Sequence, residues 1–357
     1  VLAARRTTVW RDMVKVLDGP FGLRGGRDRF YLNNGDGTFR DAAEEAGMTD
    51  VAESYGLGVL ASDLDLDGDV DVFVANDSNP NFLYRNDGGG RFTEIGSWSG
   101  AGVNGSGVAQ ADMGVDAADY DGDGLPDVLV TTFAQDSATI YRNEGDLAFQ
   151  DVAVPTGLRA ITYRALKWGC AFFDYDRDAD VDVVIVNGHI YPQVDQAPDL
   201  DETYRQIPFL LRNDRGRFTD VSAEAGPGFQ TPISGRGLAV GDYDDDGDLD
   251  LLVTAMDAPP LLLRNDTIRP GGWLKLRLLG ERGAPALHAR AVVVAEGVSQ
   301  MREVRSGSTH QSQSAFDLHF GLGAAKVVDR VEVRWPDGRT TTLEDVEVDR
   351  LLTLRPE

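Results

Sequence analysis

The acidic stretch DLDLDGDVD (63–71) recurs three more times along the chain, as DYDGDGLPD (119–127), DYDRDADVD (174–182) and DYDDDGDLD (242–250). All four fit Asp-x-Asp-x-Asp-x-x-x-Asp, a spacing that gathers carboxylates around one hard cation, with a backbone carbonyl at position seven. Oxygen ligands in this number favour calcium, so the spacing predicts four calcium ions. The predicted side-chain ligands are Asp63, Asp65, Asp67 and Asp71; Asp119, Asp121, Asp123 and Asp127; Asp174, Asp176, Asp178 and Asp182; and Asp242, Asp244, Asp246 and Asp250, with backbone carbonyls from Asp69, Leu125, Asp180 and Asp248.

The first half of the pattern also begins an EF-hand loop, which needs a glutamate at position twelve and a helix on each side. Position twelve is Val74, Val130, Ile185 or Val253 here, and none of these can bind a metal. Each loop must therefore close with its ninth residue. The short β-branched run that follows each loop is typical of a buried strand, so the pattern predicts calcium loops that connect two strands.

Other elements recur in phase with the loops. A glycine-containing strand precedes each loop, and a strand ending in Arg-Asn follows it, as in LYRND (83–87) and LLRND (210–214). Asn-Asp and Asn-Gly pairs are hairpin turn signals, and a fourth strand such as RFTDV (217–221) comes next. Four strands in about 55 residues is the size of one propeller blade.

The predicted fold is all-β, with a calcium-loop β-propeller followed by a small β-sandwich. Four loop-bearing blades lie between residues 55 and 266, and residues 29–47 supply the last two strands of a partial N-terminal blade. After the last loop repeat the chain shows short alternating segments without a helical pattern. We therefore expect an N-terminal segment at 1–28, a propeller at 29–266, a linker at 267–272 and a β domain at 273–357.

The charge balance points to metal chemistry rather than to nucleic acid. Net charge is −25, and 20 of the 59 acidic residues are aspartates within the four loops. Four calcium ions, carrying eight positive charges, would bring −25 to −17. The remaining acidity argues against nucleic-acid or membrane-surface binding, and no apolar run is long enough to span a bilayer.

Calcium dependence suits a secreted, periplasmic or cell-surface setting. The chain opens at Val1 without an apolar signal stretch, so we expect a processed or truncated protein.

Three polar residues are candidate ligand-binding positions outside the loops. Asn187 and His189 end a predicted buried strand and begin a long polar insertion at 187–208, so His189 could project onto a propeller face. His310 lies in the polar stretch SGSTHQSQS, where the alternative is a solvated turn. We predict no catalytic residue, because the sequence has no HExxH, GxSxG or Walker motif.

The repeats resemble FG-GAP/VCBS repeats, and the tail resembles the ASPIC and UnbV domain of the cartilage acidic protein family. The tail's resemblance rests on GWLKLRLLG (272–280), REVRSGSTHQSQS (302–314), LHFGLG (318–323) and VDRVEVRWPDGR (328–339). It implies a calcium-binding propeller joined to a β domain in an exported protein. The chain departs from the family at His288-Ala289-Arg290, where Gly-Ala-Arg is usual, and at Ala179, where the other three loops have glycine.

Together these features predict a noncatalytic, calcium-binding recognition or adhesion module of an exported protein. The expected partner is an extracellular protein or glycan, without nucleic-acid binding or membrane insertion. The alternative is a lyase-like or biosynthetic enzyme with its active site on the propeller face, since one fold can host many sites.

Overall fold

β-Strands dominate the computed structural model, which describes residues 7–20, 23–49, 51–256, 258–268 and 271–357. The helices in these ranges are α1 (Gly96–Ser99) and α2 (Leu158–Thr162), with 3-10 turns at Pro192–Gln196, Pro198–Leu200 and Pro227–Gln230. The all-β prediction is confirmed. Among the described residues, no helix is long and apolar enough to cross a membrane.

Two hairpins precede the first complete repeat. The first joins β1 (Thr7–Trp10) to β2 (Val14–Leu17), and the second joins β3 (Tyr31–Asn33) to β4 (Phe39–Asp41). The second hairpin carries the sequence pattern of the last two strands of a repeat, and its neighbours Ala43 and Met48 are buried against the first repeat.

Repeats one to three are four-stranded antiparallel sheets whose strands follow sequence order. Because β-branched and aromatic residues alternate between faces, each sheet has two apolar faces that neighbouring repeats cover. The strands are β5 (Gly56–Ser62), β6 (Asp71–Asn76), β7 (Phe82–Asn86) and β8 (Phe92–Glu94); β9 (Asp112–Ala118), β10 (Asp127–Thr132), β11 (Thr139–Asn143) and β12 (Phe149–Asp151); and β13 (Lys167–Phe173), β14 (Asp182–Asn187), β15 (Phe209–Asp214) and β16 (Arg217–Asp220).

Repeat four has three strands, β17 (Ser234–Gly241), β18 (Asp250–Met256) and β19 (Leu261–Leu263). The first strands of successive repeats lie side by side, since β9 contacts β5 and β13, and β13 contacts β17. A separate apolar cluster fills each space between neighbouring repeats. The arrangement places all four acidic loops at the same end of the sheets.

The C-terminal region forms two sheets that share one apolar core. Leu276 and Phe320 of one sheet and Val293 and Val331 of the other are all 0% exposed in the same cluster. The three-stranded sheet has the order β23 (Leu318–Gly321), β20 (Trp273–Leu278) and β26 (Arg350–Leu354), and the four-stranded sheet has the order β22 (Val298–Glu303), β21 (Arg290–Ala295), β24 (Val327–Arg334) and β25 (Thr340–Glu347).

The segment at 305–315 joins the C-terminal region to the first strands of the repeats. Thr309 and Val115 exchange two backbone hydrogen bonds of 2.7 and 3.0 Å, and the Thr309 hydroxyl donates to the carbonyl of Leu238. Ala315 donates its N–H to the carbonyl of Val240 at 2.9 Å. The C-terminal region is therefore packed against the repeats.

Candidate metal centres

Each acidic loop connects the first two strands of its repeat, and its carboxylates converge. In every loop, three aspartates each place one oxygen so that the three atoms lie within 4.8 Å of one another. All of them are among the predicted ligands. The groups are Asp63, Asp65 and Asp67; Asp119, Asp121 and Asp127; Asp174, Asp176 and Asp182; and Asp242, Asp244 and Asp246.

The aspartate at position nine of each loop also accepts hydrogen bonds from the backbone of its own repeat. In loop two, Asp127 accepts the N–H of Tyr120 at 3.1 Å through Oδ2 and the N–H of Asn143 at 2.8 Å through Oδ1. One carboxylate therefore ties the second loop residue to the third strand. The same two hydrogen bonds are made by Asp71 with Leu64 and Asn86, by Asp182 with Tyr175 and Asn213, and by Asp250 with Tyr243 and Asn265.

The aspartates at positions one and five accept hydrogen bonds from backbone N–H groups of the same loop. Asp119 Oδ2 accepts the N–H of Gly124, and Asp123 Oδ1 accepts the N–H of Leu125. These bonds require a left-handed residue at position six, where φ is 104° at Gly68, 89° at Gly124 and 94° at Gly247. Ala179 takes the same conformation, with φ 82°, despite the steric cost of its Cβ.

The electrostatics of the loops favour a bound cation. Burial, with a smaller contribution from neighbouring loop carboxylates, raises the pKa of Asp71 to about 7, of Asp127 to about 8 and of Asp182 to about 9. Hydrogen bonds from backbone N–H groups oppose both effects without cancelling them. A divalent ion reverses this balance because it stabilises the ionised carboxylates. The donor set is entirely oxygen, so the residues fit a hard cation such as calcium.

The asparagine of the Arg-Asn motif has a second role that the sequence did not reveal. Asn143 donates from Nδ2 to the carbonyl of Leu64, in the preceding repeat's loop, at 2.7 Å. Asn213 makes the same bond to Tyr120 at 2.8 Å. The sequence predicted only a turn at this asparagine, although the recurrence of asparagine at one position of every repeat could have indicated the second role. The third such bond runs from Asn265 to Tyr175.

Basic residues of the C-terminal region lie against the acidic loops. Lys275 Nζ is 2.5 Å from Asp242 Oδ2, and Arg290 Nη1 is 3.6 Å from Asp63 Oδ2. His319 Nε2 lies 2.9 Å from the carbonyl of Gly247. Between these contacts lies a cavity of about 170 Å³ whose lining combines apolar residues with acidic and basic ones. The loops are thus covered by the C-terminal region on one side, a contact that the sequence did not predict.

The three other candidate residues are buried. His189 is 0% exposed; its Nδ1 accepts the N–H of Tyr191, and its Nε2 lies 3.4 Å from Oε2 of the buried Glu202. Trp10 donates to the same Glu202 oxygen, so the N-terminal hairpin covers this pair. Asn187 donates to the carbonyl of Ile207.

His310 is 4% exposed, so the solvated-turn alternative is wrong. Its ring lies 4.9 Å from that of Trp168, and the guanidinium of Arg236 lies 4.2 Å from the Trp168 ring. Arg236 also donates to the carbonyl of His189 at 3.3 Å. Arg236 therefore links the backbone of His189 to the Trp168 ring on which His310 packs. A ligand-binding role for the three residues stays a prediction.

Comparison with known families agrees with this geometry. A model of the FG-GAP-like repeat matches residues 63–130 and 119–185, and the model described as ASPIC and UnbV matches residues 280–357. Residues 63–185 thus match FG-GAP-like repeats, and residues 280–357 match an ASPIC and UnbV domain.

Its similar proteins include cartilage acidic protein 1 of Mus musculus, 28% identical over 316 residues that cover 86% of this chain and 46% of the relative. The Homo sapiens protein of that name is 27% identical, covering 86% of this chain and 44% of its own length. The Xenopus tropicalis protein is 26% identical over 300 residues, covering 80% and 42%. The chain spans less than half the length of these relatives.

Solved structures are more distant. A lectin of Agrocybe aegerita that recognises non-reducing terminal N-acetylglucosamine gives a TM-score of 0.34 at 17% identity, covering 68% of this chain and 75% of the lectin. Rhamnogalacturonan lyase PL11 of Bacillus licheniformis gives 0.34 at 13% identity, covering 84% of this chain and 73% of the lyase. These likenesses are too distant to indicate a function.

Proposed function

We propose that this protein is a noncatalytic, calcium-binding recognition module of an exported protein. The observation that carries the proposal is the convergence of three carboxylate oxygens within 4.8 Å in each of four loops that share one backbone geometry. Repeated use of one loop favours a common structural ion over four separate active sites. Calcium holds the carboxylates of each loop together and so supports the packing of successive repeats.

Recognition of an extracellular protein or glycan follows from the proposed setting. The similar proteins are named for cartilage, and extracellular calcium is abundant enough to fill sites of modest affinity. The buried His189–Glu202 pair offers no opening to a substrate. The exposed surfaces of the repeats therefore supply the partner site in this proposal.

Calcium titration of the chelated protein tests the ion content. Calorimetry should detect four ions, and a count of zero or one would contradict the proposal. Replacement of Asp65, Asp121, Asp176 or Asp244 by Ala, one at a time, should each remove a single ion. Partner recognition is tested with protein and glycan arrays, screened with calcium and with excess chelator. Equal binding under the two conditions would show that recognition does not depend on the ion.

A further inference from the structure

Repeat four ends one strand early. Its described sheet has the order β17, β18, β19, so β19 is an edge strand. The turn after β19 begins like the others, since Asn265 accepts the N–H of Thr267 as Asn213 accepts that of Gly216. The chain then continues into β20, which pairs with β23 and β26 instead.

The fourth strand of the other repeats shows what is missing. In each of them, a phenylalanine stands opposite the asparagine of the third strand, in the pairs Asn86–Phe92, Asn143–Phe149 and Asn213–Phe218. These phenylalanines are 9%, 8% and 4% exposed. Their rings pack toward the preceding repeat, as Phe218 does on Tyr120 with ring centroids 6.0 Å apart.

The preceding repeat has a backbone carbonyl and a glycine that accommodate this strand. Phe92 donates its N–H to the carbonyl of Ala46, and Phe218 donates to that of Thr156. The next residue is a glycine with positive φ, and a Cβ at Gly47 would lie 2.7 Å from the carbonyl oxygen of Phe92. A Cβ at Gly100 would likewise clash with the carbonyl oxygen of Phe149, so glycine makes room for the incoming strand.

Repeat three has a glycine with positive φ at the corresponding position, facing repeat four. Ala225 is followed by Gly226, which has φ 87°, and nothing lies within 4 Å of the position of a Cβ there. The adjacent groove has a volume of about 700 Å³ and is lined by Tyr175, Phe229 and Leu263, among others. Tyr175 holds the loop position that Tyr120 holds beneath Phe218.

We propose that this groove docks an extended segment of a partner protein with the sequence Phe-x-Asp/Glu followed by an aliphatic residue. The segment pairs antiparallel with β19, places its phenylalanine in the groove opposite Asn265, and donates the phenylalanine N–H to the carbonyl of Ala225. Strand addition of this kind gains main-chain hydrogen bonds for affinity and a side-chain slot for specificity. The groove lining includes none of the predicted calcium ligands, so docking and calcium binding can fail separately.

Synthetic peptides test the docking without altering the protein. The probe is the capped octapeptide RGRFTDVS, which reproduces residues 215–222, titrated by calorimetry into the calcium-loaded chain of 357 residues. Replacing its phenylalanine by alanine should weaken binding about tenfold or more, because a buried aromatic ring is lost. N-methylation at the same phenylalanine should also weaken it. Equal binding of all three peptides, or no binding of the probe at about 1 mM, would overturn the proposal.

A protein variant locates the site. Leu263→Asp, in the groove, should abolish peptide binding, whereas Leu252→Asp, on the opposite face of the same sheet and 43% exposed, should leave it intact. Thermal melting confirms that both variants fold, and the modified peptides decide the question if Leu263→Asp does not. Sedimentation without peptide must show a monomer; self-association that Leu263→Asp disrupts would make a second copy the occupant and overturn the proposal.

Discussion

The repeats and the C-terminal region are both built of short antiparallel strands, yet different forces hold them together. The C-terminal region has one apolar core shared by its two sheets. The repeats have several smaller cores, and each sheet carries a loop in which carboxylates converge. Apolar burial stabilises the first region without any ion, whereas the second concentrates negative charge that a cation must offset. One chain therefore contains a region expected to depend on calcium and a region expected not to.

Removal of calcium should have the largest effect. An ion at one hundred times its Kd stabilises by about 2.7 kcal/mol per site, so four sites approach the net stability of an ordinary domain, about 5–15 kcal/mol. Chelation should lower the melting temperature of the repeats steeply. Hydrogen exchange should show β10 and β14 losing protection while β21 and β24 keep it. Residues 272–357 expressed alone should melt at a temperature independent of calcium, and an unchanged repeat transition in chelator would remove the contrast.

Loss of the aspartate at position nine of a loop should have the second-largest effect on stability. Asp127→Ala removes a predicted ligand and also the acceptor for two backbone N–H groups, at about 1–3 kcal/mol for each donor left unsatisfied. Asp121→Ala is the matched control, because Asp121 is a predicted ligand in the same loop. Denaturant unfolding in chelator should show a larger destabilisation for Asp127→Ala, because Asp121 accepts only the N–H of Asp123, at 3.4 Å. Equal effects of the two variants would mean that Asp127 acts only through the ion.

Loop three should bind calcium most weakly of the four. Ala179 has φ 82°, where a Cβ costs about 1 kcal/mol that glycine avoids. Ala179→Gly should therefore tighten this site by a factor of about five. Site-resolved calcium titration measures the change, with Gly124→Ala in loop two as the reciprocal variant. Unchanged or weaker binding after Ala179→Gly would show that strain at this position does not govern affinity.

A smaller effect is expected from pH at the contact between the two regions. Burial lowers the pKa of His310 below its usual value, and the nearby Arg236 acts in the same direction, although a hydrogen bond to the Met113 carbonyl opposes both. The unfolded chain then binds the proton more readily, so this contribution to stability falls as pH drops below about 6.5. Unfolding experiments from neutral to acidic pH should show a shallower loss for His310→Gln than for the unaltered protein. Identical slopes would exclude His310 as the source.

The sequence predicted features formed by neighbouring residues better than it predicted contacts between distant segments. The acidic loops and the strands beside them follow from residue spacing, because each involves neighbours in the chain. The burial of His310 and the contact of Lys275 with Asp242 could not be predicted, since each joins segments distant in sequence. His310 stands in a polar stretch typical of a turn, and its burial depends on aromatic Trp168 from another repeat.

The asparagine bonds between repeats give the array a direction. Each of loops one to three is completed by an asparagine from the repeat that follows it, so during synthesis a loop can reach its final form only after the next repeat has emerged. Loop four is followed by the C-terminal region, which contacts it through Lys275 and His319. The array is therefore directional, and its last acidic loop is contacted by the C-terminal region instead of by an asparagine from a following repeat.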